Sequence, residues 1–266
     1  MQPLILYTAQ TPNGVKVSNF TEELKEAYPD FAVTYRAISF GKNEQKEEWF
    51  LKINPNGRIP ALVDPNRNNF AVFETASIIL YLEKHYDPRH LFSWSDSEDG
   101  GVDRRSEVLN WMFFIHGGLG PMQGQANHFV RYAPEQIEYA KDRYVNETKR
   151  LYRVLDRRLK DHDWLVGDKY SIADINAYPW LQYYRWAGIR DEEVPQSVRD
   201  YIERNYARPA VQRGMREPGG SNEWLDKMRS PEFWTTHLEE ANQKAKEASA
   251  WVLQGMQNDK NRASKA

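Results

Sequence analysis

The sequence Leu4-Ile5-Leu6-Tyr7-Thr8-Ala9-Gln10-Thr11-Pro12-Asn13-Gly14 joins an apolar run to a polar turn. Apolar residues then recur at spacings of three and four, at Val17, Phe20, Leu24 and Ala27. This pattern predicts a strand, a turn and the start of an amphipathic helix. A helix start holds unpaired N–H groups and a partial positive charge, which together stabilise an anion. The Thr11 hydroxyl and the Asn13 amide add two donors, although such a turn also serves shape alone.

Composition limits the classes of partner. The chain has 266 residues, of which 40% are hydrophobic, so it can bury a substantial core. Its 36 basic and 38 acidic residues leave a net charge of −2. Because no excess of positive charge is present, we expect neither nucleic acid nor a membrane surface as partner.

The chain contains no cysteine. This excludes disulfides, thiolate metal sites and a cysteine nucleophile, so any thiol in the chemistry must come with a ligand. The first residues lack the pattern of a secretory signal, and no apolar run approaches the roughly 18 residues of a membrane span. These features predict a soluble, cytoplasmic protein.

The first third of the chain alternates between strand and helix patterns. Strands are predicted over 4–7, 32–37, 61–64 and 70–73, and helices over 13–28, 44–53 and 75–86. A βαβ unit followed by a ββα unit makes a sheet of about four strands with helices on its faces. We therefore expect an α/β domain over 1–87.

Helical patterns dominate after a polar linker over 88–102. Apolar positions step by three and four between Ile137 and Leu159, and Ser171 with Asp174 forms a capping pair for another helix. Gly117-Gly118-Leu119-Gly120-Pro121 should kink or break the helix that enters it. These patterns predict an all-helical domain over 103–217.

The last segment, 218–266, reads as an extension with one amphipathic helix and a disordered end from 258 onward. The helix repeats small and apolar residues at spacings of three and four from Leu238 to Val252. Docking on the helical domain, binding a partner and covering a cleft are all open interpretations of this helix.

Two further motifs suggest a ligand. Ile59-Pro60 stands directly before a predicted strand, and a cis bond there would expose the backbone groups of Ile59 for pairing with an extended ligand. Glu74-Thr75 lies where a strand meets a helix, so the carboxylate can accept from an ammonium group and the helix start can hold a carboxylate. An ordinary trans turn and a simple helix cap remain the structural alternatives.

Taken in order, Asn13, Ile59 and Glu74-Thr75 outline an extended ligand with an amino-acid end and a nucleophilic atom, and glutathione has this shape. The sequence resembles the glutathione transferase superfamily over about 3–215, closest to the nu-class and fungal nitrogen-regulator-like members. The residues that carry the resemblance lie in 11–16, 54–60, 117–122, 124–125 and 171–174.

The resemblance implies a thioredoxin-like domain followed by an all-α domain, glutathione as co-substrate, and a homodimer. It also implies glutathione contacts at Asn13, Gln45, Ile59, Glu74, Thr75 and Arg143. Ser171 and Asp174 match a family capping pair with a folding role.

We expect Asn13 and Thr11, with the helix start, to favour the glutathione thiolate for attack on a disulfide, a peroxide or a small electrophile. Tyr7 is a competing donor. The electrophile pocket should lie between the domains, with candidate walls at Trp111, Phe114, Met122, His128, Phe129 and Tyr132. The alternative function is a catalytically weak glutathione-binding regulator or a carrier of apolar ligands.

Overall fold

A four-stranded sheet forms the first domain. The computed structural model describes residues 1–263 and contains β1 (Leu4–Thr8), α1 (Pro12–Ala27), β2 (Val33–Ala37), α2 (Glu48–Leu51), β3 (Ala61–Asp64), β4 (Phe70–Phe73) and α3 (Thr75–Tyr86). The strand order is β2-β1-β3-β4, with β1 parallel to β2 and the other pairs antiparallel. The predicted thioredoxin-like α/β domain is confirmed. The predicted helix over 44–53 is wrong in detail, because a 3₁₀ turn at Glu44–Lys46 precedes the short α2.

The second domain is helical. It comprises α4 (Gly101–Phe114), α5 (Gly120–Asn127), α6 (Glu138–Leu159), α7 (Ile172–Leu181), α8 (Gln196–Tyr206) and α9 (Pro209–Gly214). The glycine run does not end the helix. A π-helical turn at Ile115–Leu119 joins α4 to α5, and Pro121 follows this turn as the second residue of α5.

Asp174 anchors the start of α7 as the capping pair predicts. Its carboxylate accepts from the N–H of Ser171 at 2.9 Å, from the N–H of Leu165 at 3.0 Å and from the hydroxyl of Tyr201 at 2.8 Å. Burial raises the pKa of Asp174 to about 6, although these hydrogen bonds oppose the shift. The residue thus ties α7, α8 and the preceding loop together.

The two domains share one hydrophobic core through α1. Gly214 of α9 packs so closely on α1 that a Cβ would lie 2.6 Å from the Cα of Asn19. Beside this contact, Arg208 binds Glu23 at 2.6 Å and Arg213 binds Glu22 at 3.0 Å. The interface is therefore closely packed and ion-paired along α1. α3 ends at Tyr86 and α4 begins at Gly101, and the exact domain boundaries stay a prediction.

The extension holds more structure than its sequence predicts. Three helices follow α9, namely α10 (Glu223–Arg229), α11 (Phe233–Thr236) and α12 (Leu238–Ala263). The expected single helix and disordered end from 258 are corrected, since α12 continues to Ala263; residues 264–266 lie outside the described part. Trp224 and Trp234 pack edge-on against Trp186, which fixes the extension on the helical domain. Within 1–263, no helix is long and apolar enough to cross a membrane.

Candidate active site

A cleft of about 590 Å³ opens between the two domains. The α/β domain lines it with the start of α1, the loop before β3 and the start of α3, and the helical domain with the π turn, α5 and α7. Val252 and Met256 of α12 complete the lining of the cleft. A neighbouring compartment of about 440 Å³ lies along the same helix. Six residues line both spaces: Asn13, Arg58, Ile59, Trp180, Val252 and Met256.

The turn before α1 has the shape that its sequence predicts. Thr11 is the N-cap, and its hydroxyl oxygen accepts from the N–H of Gly14 at 3.1 Å. Its hydroxyl proton is still available to an acceptor, and Thr11 lines the neighbouring compartment. A Cβ on Gly14 would lie 2.0 Å from the carbonyl oxygen of Ala9, so only glycine fits there. The motif therefore serves both shape and the supply of donors.

Asn13 is held from the opposite domain. Its Oδ1 accepts from the indole N–H of Trp180 at 3.1 Å. Because an indole nitrogen only donates, this contact fixes which end of the carboxamide is the oxygen. The amide nitrogen makes no hydrogen bond to any residue that the structure describes, and it is left to donate into the cleft.

Trp180 reaches Asn13 because two glycines make room for it. A Cβ on Gly120 would lie 3.0 Å from the indole nitrogen, and one on Gly124 would lie 3.4 Å from the far edge of the ring. Gln123 of the same helix donates to the Trp180 carbonyl at 2.7 Å. Sequence reasoning missed Trp180. The four-residue spacing of Gly120 and Gly124 was the signal that a bulky partner packs on that face.

The loop before β3 offers a free backbone edge. Ile59-Pro60 is a cis peptide, as the sequence suggests. Asn54 holds the loop from within, since its side chain donates to the Arg58 carbonyl at 2.6 Å and accepts from the N–H of Asn56 at 3.0 Å. Among residues 1–263, the N–H and C=O of Ile59 have no hydrogen-bond partner. They can therefore pair with an extended peptide-like ligand.

Glu74 and Thr75 meet a histidine from the helical domain. Glu74 adopts φ 70°, a left-handed value that favours glycine, and Thr75 begins α3. His116 of the π turn lies with Nε2 3.2 Å from Glu74 Oε2 and with Nδ1 3.4 Å from Thr75 Oγ1. Burial, followed by the charge of Lys16, lowers the pKa of His116, so the ring is neutral at pH 7. His116 was also missed, because only the fold brings it here.

Lys16 is the third residue that the sequence did not single out. It stands one turn after Asn13 on α1 and lines the cleft, yet its side chain is only 1% exposed. Burial lowers the pKa of Lys16 to about 7, and the charge of Glu74 opposes this shift. The spacing of three from Asn13 places both side chains on one face of the helix, which was the available signal.

Gln45 and Arg143 differ in their placement. Gln45 lines the neighbouring compartment, and its Nε2 donates to Asn43 at 2.9 Å. Its Oε1 is buried without a partner among the described residues, as a ligand-binding group can be. Arg143 is exposed on α6 and lies outside both compartments, so its contact with glutathione stays a prediction.

The expected walls of the electrophile pocket are only partly correct. His128 and Tyr132 line the cleft, whereas four residues do not, namely Trp111, Phe114, Met122 and Phe129. The first three pack against the core, and Phe129 stacks on Tyr144 at 5.5 Å. Helix α12 supplies the apolar wall in their place. Tyr7 packs against Trp49 and Phe50 and lines neither compartment.

Comparison with known proteins agrees with this architecture. The family models "Glutathione S-transferase, N-terminal domain" and "Glutathione S-transferase, C-terminal domain" match residues 24–85 and 111–209. The disulfide-bond oxidoreductase YfcG of Escherichia coli is 40% identical over 212 residues, which cover 77% of this chain and 91% of that protein.

Two solved structures are similar to this chain in their three-dimensional fold. A Pseudomonas putida glutathione transferase with one glutathione disulfide bound per subunit is 35% identical, with a TM-score of 0.71 and coverage of 82% of this chain and 92% of that one. The nitrogen regulation fragment of the yeast prion protein Ure2p is 31% identical, with a TM-score of 0.73 and coverage of 82% and 99%. The chain therefore belongs to the glutathione S-transferase family, among its YfcG-like and Ure2p-like members.

Proposed function

We propose that this protein is an enzyme that uses glutathione to reduce small disulfides or peroxides. The observation that carries the proposal is the Asn13 amide, which Trp180 holds with its N–H donors free at the start of α1. A thiolate at this place would receive hydrogen bonds and the partial positive charge of the helix. Since the chain has no cysteine, that sulfur belongs to glutathione.

The rest of the cleft suits the rest of the ligand. The free backbone groups of Ile59 would pair with the cysteinyl residue of glutathione, and Glu74 with the α3 start would bind its γ-glutamyl end. Gln45 lines the neighbouring compartment with Ile59 and would contact the glycyl residue, whose N–H can donate to the unpartnered Oε1 and whose carboxylate can accept from the Gln45 amide. The Pseudomonas putida relative supports a glutathione site, because it holds glutathione disulfide.

The proposed reaction begins with the glutathione thiolate, which the site stabilises without a general base. An isolated thiol has a pKa of about 8.5, and the donors of Asn13, Thr11 and the helix start favour its ionised form. The thiolate attacks one sulfur of the substrate disulfide, forms a mixed disulfide and releases a thiolate. A second glutathione attacks the mixed disulfide and yields glutathione disulfide. Two glutathione thiols are thus oxidised while one disulfide becomes two thiols.

Reduction should exceed conjugation of bulky aryl electrophiles. Trp251 of α12 stacks on Phe40 with ring centroids 5.0 Å apart, which narrows the space beside Asn13. Small disulfides and peroxides need less room than aryl groups. The regulator or carrier alternative is not favoured, because enzymes such as the disulfide-bond oxidoreductase YfcG match most of the chain.

The test is glutathione-dependent reduction of hydroxyethyl disulfide, followed by coupling glutathione disulfide to its reductase. We expect robust turnover that falls tenfold or more in Asn13→Ala, with a modest loss of glutathione binding. Asn146→Ala, on the exposed face of α6, is the matched control. Glutathione binding without turnover in the wild type would support the carrier instead, and unchanged turnover in Asn13→Ala would remove the role given to that amide.

We also propose a homodimer that acts in the cytoplasm. Val102, Leu109 and Phe113 form an exposed apolar stripe on α4, and Phe113 is 63% exposed. Phe70 and Phe73 are exposed on β4, which is an edge strand. Burying this surface against a second copy would remove it from water, and Phe113→Asp should shift the sedimentation coefficient towards the monomer. The cytoplasm fits because its thiol pool keeps glutathione reduced.

A further inference from the structure

Lys16 is a buried cation to which the protein gives no partner. Its side chain is 1% exposed, and its ammonium forms no hydrogen bond or ion pair with any residue in the described part of the chain. A buried charge without a partner is costly, and proteins avoid it unless something else supplies the counter-charge. Lys16 lines the cleft.

The groups around the ammonium leave one kind of partner missing. Glu74 attracts the ammonium but forms no ion pair with it in the described part of the chain, and Glu74 Oε2 lies 3.2 Å from His116 Nε2. His116 itself is neutral because burial and Lys16 lower its pKa. Besides Lys16, Glu74 and His116, the titratable residues that line the cleft are Arg58, His128 and Tyr132, none of which offers a negative charge at neutral pH. The ligand must therefore bring the anion.

We propose that Lys16 binds the α-carboxylate of the γ-glutamyl end of glutathione. This inference rests on the proposed function, which puts that end at Glu74 and Thr75. The ligand's zwitterionic head would then meet Glu74 with its ammonium, and Lys16 with the α3 helix start would meet its carboxylate. Lys16 would recognise the α-carboxylate, one of the two charged groups that separate a γ-glutamyl group from a plain acyl chain.

Binding should carry a proton signature. With a pKa of about 7, Lys16 is mostly neutral at pH 8 in the free protein, and an ion pair with the ligand restores its charge. Complex formation at pH 8 should therefore take up close to one proton. S-methylglutathione is the suitable probe, since it has no thiol whose ionisation would release a proton and mask the uptake.

The experiment is isothermal titration of S-methylglutathione into the full chain at pH 8, in buffers of different ionisation enthalpy. We expect proton uptake in the wild type and in Lys141→Met, a partly exposed lysine control on α6. Lys16→Met should lose most of the uptake and bind at least tenfold more weakly. At pH 6, where Lys16 is mostly charged, the same variant should melt at a higher temperature without ligand, because an apolar side chain replaces an unpaired charge.

A second ligand makes the test independent of how the variant folds. The 4-aminobutanoyl analogue of S-methylglutathione lacks only the α-carboxylate. It should bind wild type and Lys16→Met equally weakly and without proton uptake. Equal loss of affinity on removing the carboxylate in both proteins would overturn the role of Lys16 while leaving glutathione binding intact. No binding of S-methylglutathione to the wild type would overturn the proposed function itself.

Discussion

Trp180 should control turnover through Asn13. Trp180→Phe keeps an aromatic ring between Gly120 and Gly124 but removes the N–H that holds the Asn13 oxygen at 3.1 Å. Without that donor, the carboxamide can rotate about its last torsion, whose two orientations are nearly equivalent in energy. The amide would then present its oxygen to the thiolate about half of the time.

The size of the effect follows from two contributions. Halving the productive orientation costs RT ln 2, about 0.4 kcal/mol, and freeing the side chain costs about 1 kcal/mol of ordering entropy. Together they predict a fall in kcat/KM of about tenfold, since 1.4 kcal/mol is a factor of ten. The pKa of the bound glutathione thiol should rise as well, and ultraviolet absorbance of the thiolate measures it.

A double-mutant cycle distinguishes a role of Trp180 in positioning Asn13 from general damage to the site. If Trp180 acts only through Asn13, adding Trp180→Phe to Asn13→Ala should change nothing further. Trp111→Phe, a partly buried tryptophan that lies outside the cleft, should leave the thiol pKa unchanged. Additive losses in the double variant, or a normal thiol pKa in Trp180→Phe, would refute the reasoning.

Three other predictions test the surroundings of the site. Trp251→Ala should loosen α12 from Phe40 and raise kcat/KM for a bulky aryl halide several-fold with little change for a small disulfide, which steady-state kinetics would show. Asp174→Ala leaves the N–H groups of Leu165 and Ser171 unpaired and should lower the free energy of unfolding in urea by about 3 kcal/mol, with unchanged glutathione affinity. Because burial raises the pKa of Asp174 to about 6, its contribution to stability is full below pH 4 and is lost as the pH rises through 6; Asp174→Asn should flatten that part of the pH profile.

Local patterns were sufficient for most of the fold. Strands β3 and β4 and helix α3 have the bounds that alternation and turn residues predict. The prediction of one continuous helix over 44–53 was wrong because Glu47 has an extended backbone, with ψ 151°. This residue separates the 3₁₀ turn from α2. The prediction for the extension was wrong because its helices are held by contacts with distant residues, such as the Trp224 ring against Trp186. Hydrophobic periodicity does not show such contacts.

The residues of the candidate site also divide into those that the sequence predicts and those that only the fold brings together. The predicted residues lie in or beside turns whose local sequence already indicates their chemical role, namely Thr11, Asn13, Ile59, Glu74 and Thr75. Trp180 and His116 do not, because each matters only through a partner from another element. Lys16 does not either, because its burial beside the cleft comes from the fold. A glycine pair, a histidine after a helix and a lysine on an amphipathic face are common in proteins without any such role.

The positions of these missed residues give the helical domain a specific task. The α/β domain contributes Asn13 at the proposed sulfur end of the ligand and Glu74 at its proposed γ-glutamyl end. Each of these side chains is oriented by a helical-domain residue, Trp180 for Asn13 and His116 for Glu74. The distance and orientation between the two ends therefore depend on how the domains pack. The close contact of Gly214 with α1 and the ion pairs beside it hold that packing in one arrangement, so an interface remote from the cleft helps to set the geometry of the donors within it.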